Sequence, residues 1–320
     1  MDAHVGSTGG GRNEGEAASS VDDGASRRFT FLRRPKVVVW AAVAIGAGVG
    51  WIWLAAMVVG MLATTDMTAL GPGMGFFNRL NGFAELTPEM RAALTVLCGP
   101  TGEAWSLGDA LAVFAMWVAM VFAMMLPSAA PVLTSFASLA EDKRAAGEAT
   151  ASPLLLAAGY LTIWVAFALV ATVGQAVLTQ LRVLTPAGTT ASQLLAGTTL
   201  LAAGLYQFSP LKMGCLTRCR YPAPYFADNW TARPAGVFRQ GVEQGLDCLG
   251  CCWALMVVMF AVGVMNVVWI AIIGAVMVVE KVTFSLLVPR LVGVVLLLWG
   301  AALVLISPVG TVLLTRFHLL

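Results

Sequence analysis

Histidine is almost missing from this sequence, and charge is scarce throughout it. Two histidines occur in 320 residues, His4 near the start and His318 near the end. An imidazole-rich haem, di-iron or catalytic zinc site therefore lacks its ligands. Charged residues make up 11% of the chain, against about 25% in an ordinary soluble domain. So few charges cannot cover a water-facing surface. A net charge of +2 without any aromatic-basic patch excludes nucleic acid as a partner. No G-x-x-x-x-G-K-[ST] segment is present, which argues against direct ATP-driven pumping by this chain. Internal repeats and inverted halves, the mark of many transporters, are also missing.

What is present is apolar. Hydrophobic residues form 59% of the chain and the mean hydropathy is +0.83. A bilayer is crossed by runs of roughly 20 apolar residues. Seven such segments can be drawn: Val37–Ala63, Asp109–Leu126, Pro153–Leu178, Leu194–Pro210, Leu249–Val264, Val267–Val282 and Leu291–Leu314. They predict an all-α fold, a polytopic transmembrane helix bundle of about seven spans. The uncharged run from Leu249 to Val279 is the weakest division. A tight turn near Gly263–Asn266 makes two spans of it, and one long helix there gives six.

Basic residues set the orientation. With seven spans, fifteen of the nineteen Lys and Arg fall on the side of the N-terminus, which predicts a cytoplasmic N-terminus and a multi-pass protein of the bacterial cytoplasmic (inner) membrane. Residues 1–34, rich in Gly, Ser and Ala, cannot bury a core and are expected to be a disordered cytoplasmic tail. Residues 35–64 form the first span and 65–107 an extracytoplasmic loop, with turns at Gly71-Pro72-Gly73 and Thr87-Pro88-Glu89. Residues 108–315 form the bundle, with a cytoplasmic cysteine-containing loop at 211–247. Trp40, Trp105, Trp230 and Trp269 sit near span ends, as interfacial anchors do. Gly46 and Gly50 have the spacing that lets helices approach closely, most simply within the bundle.

Five of the six cysteines lie between residues 215 and 252, as C-x₃-C (Cys215, Cys219) and C-x₂-C-C (Cys248, Cys251, Cys252). The first group follows the fourth span and the second opens the fifth, so one connection returns both to the same membrane face. In a reducing compartment a disulfide framework is not expected, and metal ligation is the natural use of such spacing. Thiolates suit Cu(I), and four of them suit Zn²⁺. Neighbouring Lys212, Arg218, Arg220 and Arg239 would favour thiolate over thiol. The alternatives are thiol redox chemistry and plain apolar packing. Cys98, alone beside Gly99-Pro100 on the opposite face, reads as structural.

Met116, Met120 and Met124 recur at helical spacing, with Met125 beside them. Thioethers are soft ligands, so a secondary copper site or relay competes here with methionine as a gap filler. Pro127 and Pro131 should end or kink that helix at the cysteine-bearing face. Gln175, Gln207, Asn266 and Glu280 are polar residues inside apolar runs. Such groups are costly in a membrane, so they either bond structurally, with Lys212 or Lys281 as partners, or line a polar pathway.

Three segments, MVFAMMLPSAAP (Met120–Pro131), GLYQFSPLKMGCLTRCR (Gly204–Arg220) and GLDCLGCCWALMVVMFAVGVMN (Gly245–Asn266), resemble a bacterial family of integral membrane proteins of unknown function that is described as predicted metal-binding. Glu280-Lys281 fits the same pattern, and the resemblance covers roughly residues 108–310. It implies metal binding by the five clustered cysteines. Met124, Met125, Pro127, Tyr206, Gln207, Lys212, Trp253, Met265 and Asn266 are motif positions to which it gives no role.

The reading that follows is a membrane protein handling Cu(I) or Zn through cytoplasm-facing thiolates, in delivery, transport or sensing. Its partners would be the lipid bilayer, the metal ion, and a membrane metalloenzyme or metallochaperone. A membrane thiol–disulfide oxidoreductase, or a structural subunit with a zinc-stabilised loop, are the alternatives.

Overall fold

The computed structural model describes residues 35–62, 65–80, 87, 89, 105–185 and 188–316. The N-terminal tail, Cys98, both histidines and most of the second half of the first outside loop lie outside these residues. The described chain is helical, and its one β-type contact is an isolated bridge between Leu184 and Thr190.

In chain order the α-helices are α1 (Pro35–Leu62), α2 (Leu107–Met120), α3 (Leu126–Ala145), α4 (Pro153–Gln180), α5 (Gln193–Tyr206), α6 (Pro210–Arg220), α7 (Pro222–Asp228), α8 (Pro234–Val262), α9 (Val267–Val282), α10 (Leu287–Ile306) and α11 (Pro308–Arg316). Two 3₁₀ helices, Met67–Leu70 and Met74–Leu80, follow α1. Five helices are long and apolar enough to cross a membrane, or six if the bent pair α5–α6 counts as one. Helix α9, expected as the sixth of seven spans, has 16 residues and is not among them.

Where the sequence predicts helix ends, two differences stand out. Pro127 and Pro131 do not stop the second apolar helix, which runs from Leu107 to Ala145. A π turn at Val121–Met125 joins α2 to α3 directly ahead of Pro127. Its wider hydrogen bonding absorbs the donor that proline lacks. Thr134 Oγ1 donates to Ala130 O at 2.7 Å in the turn around Pro131. The second difference is the 211–247 connection, expected as a loop. It is helical almost throughout, as α6, α7 and the first half of α8. Prolines at the first turns of all three explain this, because their fixed φ suits a helix start.

The expected turn at Gly263–Asn266 separates α8 from α9. Gly263 takes φ 107°, a left-handed value that glycine adopts without strain. Asn266 then caps α9, its Oδ1 accepting from Trp269 N at 3.2 Å. Glycines also set the close approaches. A Cβ on Gly50 would stand 2.7 Å from Ala119 O, so α1 lies against the α2 backbone there. On α4 and α8, Cβ atoms at Gly159 and Gly241 would stand 2.1 Å from Phe238 O and 2.2 Å from Leu156 O. These two helices touch backbone to backbone, and that contact positions the site.

Candidate metal centre

Cys248, Cys251 and Cys252 lie near the middle of α8 rather than at a span's opening. Spacings of three and four residues put them on one helical face. That face points into the bundle, where each is at most 1% exposed. Their sulfurs all lie within 4.8 Å of one another, and Cys251 Sγ is 3.3 Å from Cys252 Sγ. A trigonal site with roughly 2.3 Å metal–sulfur bonds needs sulfurs about 4 Å apart. The trio fits a soft ion with small side-chain adjustments.

Cys215 and Cys219 are one turn apart on α6, facing α8. Cys219 is 1% exposed and neighbours Cys248 and Cys251, but its sulfur is not one of the three that all lie within 4.8 Å of one another. Cys215 sits higher. It is half-buried, and a Cβ on Gly250 would stand 2.6 Å from its sulfur. Glycine at 250 therefore makes room for Cys215 on α8. A cleft of about 560 Å³ is lined by Arg218, Tyr221, Tyr225, Glu243, Gln244 and Asp247, of which Arg218 and Asp247 neighbour Cys215. Burial, and after it the Glu243 carboxylate to which it donates, push the Tyr225 phenol above its ordinary value.

The sulfur of Cys248 has two further polar neighbours, neither given a part in the site by the sequence. Lys281 Nζ donates to Cys248 Sγ at 2.8 Å and to Ser128 Oγ at 2.9 Å, and Lys281 is 2% exposed. Tyr160 OH lies 2.8 Å from Cys248 Sγ and 3.2 Å from Met125 O. The glycine contact of α4 with α8 holds Tyr160 there.

The cations that the sequence placed around the thiols are engaged elsewhere. Lys212 pairs with Glu280 at 2.8 Å, both fully buried. Arg220 Nε donates to Glu280 O at 2.8 Å. Arg218 reaches Asp247, and Arg239 reaches Glu243. Lys281 is the cation hydrogen-bonded to a centre sulfur.

Met116, Met120, Met124 and Met125 are all buried. The π turn brings both Met124 and Met125 inward. Of the four polar candidates, Gln175 accepts from Trp117 Nε1 at 2.9 Å, and Glu280 is held by Lys212. Gln207 is buried at the α5–α6 bend with neither amide atom partnered. Asn266 stands at the other end of α9, donating to Pro72 O at 3.0 Å. The fourteen residues from Asn266 to Glu280 put those side chains about 21 Å apart along the axis.

An all-helical bundle enclosing a cluster of buried thiols, braced by a lysine and a tyrosine, is the class that this geometry defines. Residues 114–303 match the model of a family described as PpoB2, copper chaperone. The match spans more than half of the chain, which therefore belongs to this family. No curated protein and no solved structure matches the chain.

Proposed function

We propose that this protein is a multi-pass protein of the bacterial cytoplasmic membrane that holds Cu(I) on Cys248, Cys251 and Cys252, with Cys219 within reach. It would pass the ion to a partner metalloenzyme or metallochaperone. The observation that carries this reading is the buried trio of sulfurs within 4.8 Å. Thiolates in a site without carboxylate or imidazole favour a soft ion. Three thiolates around one Cu(I) leave negative charge in the interior, and Lys281 stands where it offsets part of it. The five long apolar helices support the bilayer as the surroundings. The basic residues support an N-terminus and a cysteine-bearing end in the cytoplasm. Cys215, half-buried and neighbouring Arg218 and Asp247 of the open cleft, is the thiol that an incoming donor meets first.

Metal content tests the reading. The protein purified in detergent under reducing conditions should carry stoichiometric copper by mass spectrometry. A Cys251→Ser/Cys252→Ser variant of equal monodispersity should carry almost none. Equal metal in both would refute the centre, and zinc in place of copper would refute the choice of ion.

A further inference from the structure

Methionine is sorted in this fold in a way that packing alone does not require. Of fifteen methionines in the sequence, twelve are buried among the described residues. None is among the many exposed large apolar side chains, which include numerous leucines and valines. As gap fillers, thioethers and leucines are nearly exchangeable. Leucine occurs both in the core and on the exposed surface, whereas no described methionine is exposed, and that bias points to the sulfur.

The positions lie on helices that pack against one another, α1 on α2 and the π turn, the π turn on α9, and α9 on α8. On α8, Met256 follows Cys252 by four residues and Met259 follows it by seven, so the cysteine face continues as a thioether face. On α9, Met277 precedes Lys281 by four residues and so lies one turn from the group that touches Cys248. Gly274, one turn further, makes room for Met124, whose Cγ would be 3.2 Å from a Cβ there. Met120 and Met116 extend the line along α2. Met57 and Met61 occupy one face of the last turns of α1.

Met67 and Met74, both fully buried, close the far end on the two 3₁₀ helices. These helices are seated on the α8–α9 turn, where Cβ atoms at Gly71 and Gly263 would strike Val262 O and Leu70 O. All twelve methionines belong to the same buried cluster as Cys219, Cys248, Cys251 and Cys252.

We propose that these methionines form a thioether column that conducts Cu(I) between the outer end of the bundle at Met67 and Met74 and the thiol centre. The protein would then be a path across the membrane as well as a carrier at one face. This rests on the copper reading above. Each step exchanges one sulfur ligand for the next, so no electron moves and copper stays Cu(I). Thiolates bind the ion more strongly than neutral thioethers, so the column drains toward Cys252. At the centre each cysteine that binds gives up its thiol proton.

The test uses the full chain in proteoliposomes, with Cu(I) in a thiol buffer on one side and a Cu(I)-responsive dye sealed on the other. Wild type should load the dye. Met256→Leu/Met259→Leu should slow loading at least tenfold while the copper content of the purified protein stays at the wild-type level. That retained content shows the variant to be folded. Met57→Leu/Met61→Leu, nearer the far end, should give the same split. Wild type that binds copper yet loads no faster than empty vesicles would overturn the column. So would methionine variants that load at the wild-type rate. Wild type without copper would instead refute the thiol centre, and the column with it.

Discussion

Replacing Lys281 by methionine separates a structural lysine from one that serves the metal. In the folded protein its Nζ has two hydrogen bonds, to Cys248 Sγ at 2.8 Å and Ser128 Oγ at 2.9 Å, with 2% of the residue exposed. Water cannot replace either. Lys281→Met removes the donor and the positive charge while keeping an unbranched apolar stem. A hydrogen bond to a charged group contributes about 1.5–3 kcal/mol. At about 1.4 kcal/mol per decade, Cu(I) affinity should fall roughly tenfold to a hundredfold. The assay is competition against a Cu(I) chelator in detergent, run also in a Cys248→Ala background. There the sulfur that Lys281 contacts is already gone, so adding Lys281→Met should cost much less. An unchanged affinity, or an equal loss in both backgrounds, would refute the pairing of this ammonium with the metal-binding sulfur.

Gly159→Ala should destabilise the bundle by about 1–3 kcal/mol or more, because its Cβ would meet Phe238 O at 2.1 Å, and a backbone atom cannot step aside. Thermal unfolding and copper content should fall together, since Tyr160 would be drawn off Cys248. Gly174→Ala on the same helix meets nothing within 4 Å and should leave both intact. Asp66 gives a pH dependence. The Thr68 N–H, and then the Asn78 amide at 2.7 Å, hold its carboxylate below the ordinary value of 3.8. A depressed value contributes stability that is full above 3.8 and lost as pH falls below it through the folded value. Hydrogen exchange at Met67–Leu70 should therefore be faster in Asp66→Asn than in wild type above pH 3.8, and the two should converge only as pH falls through the lower folded value. A constant difference across that range would refute the cap.

The apolar runs made the helices legible, because length and hydropathy are local properties of a sequence. Spacing likewise put Cys248, Cys251 and Cys252 on one face. What spacing does not encode is which residues from other helices meet that face. Tyr160 looks like an ordinary polar interruption of an apolar helix until Gly159, Gly241 and Gly245 bring α4 against α8, and Ser128 on α3 looks so until Lys281 reaches it from α9. Lys281 was read as a partner for Gln207 or Glu280, and it turned instead to Cys248, while Lys212 pairs with Glu280. The π turn had no separate signal. Pro127 marks a missing donor, and whether a helix breaks or widens there depends on what packs around it.

The charges explain why the site has this composition. Helix α6 carries three cations, Lys212, Arg218 and Arg220, close to five cysteines, yet each is spent on an oxygen. Those bonds fix α6 to α8 and α9 and so hold Cys219 against Cys248 and Cys251. Had they turned to the sulfurs, several positive charges would surround the trio and compete with the ion for it. On the copper reading, a single lysine from α9 would leave the centre negative enough to attract a monovalent cation, without leaving the whole charge of the thiolates unopposed in the interior. The arrangement would then separate two tasks that the sequence places side by side, with oxygens holding the helices and sulfurs left for the metal.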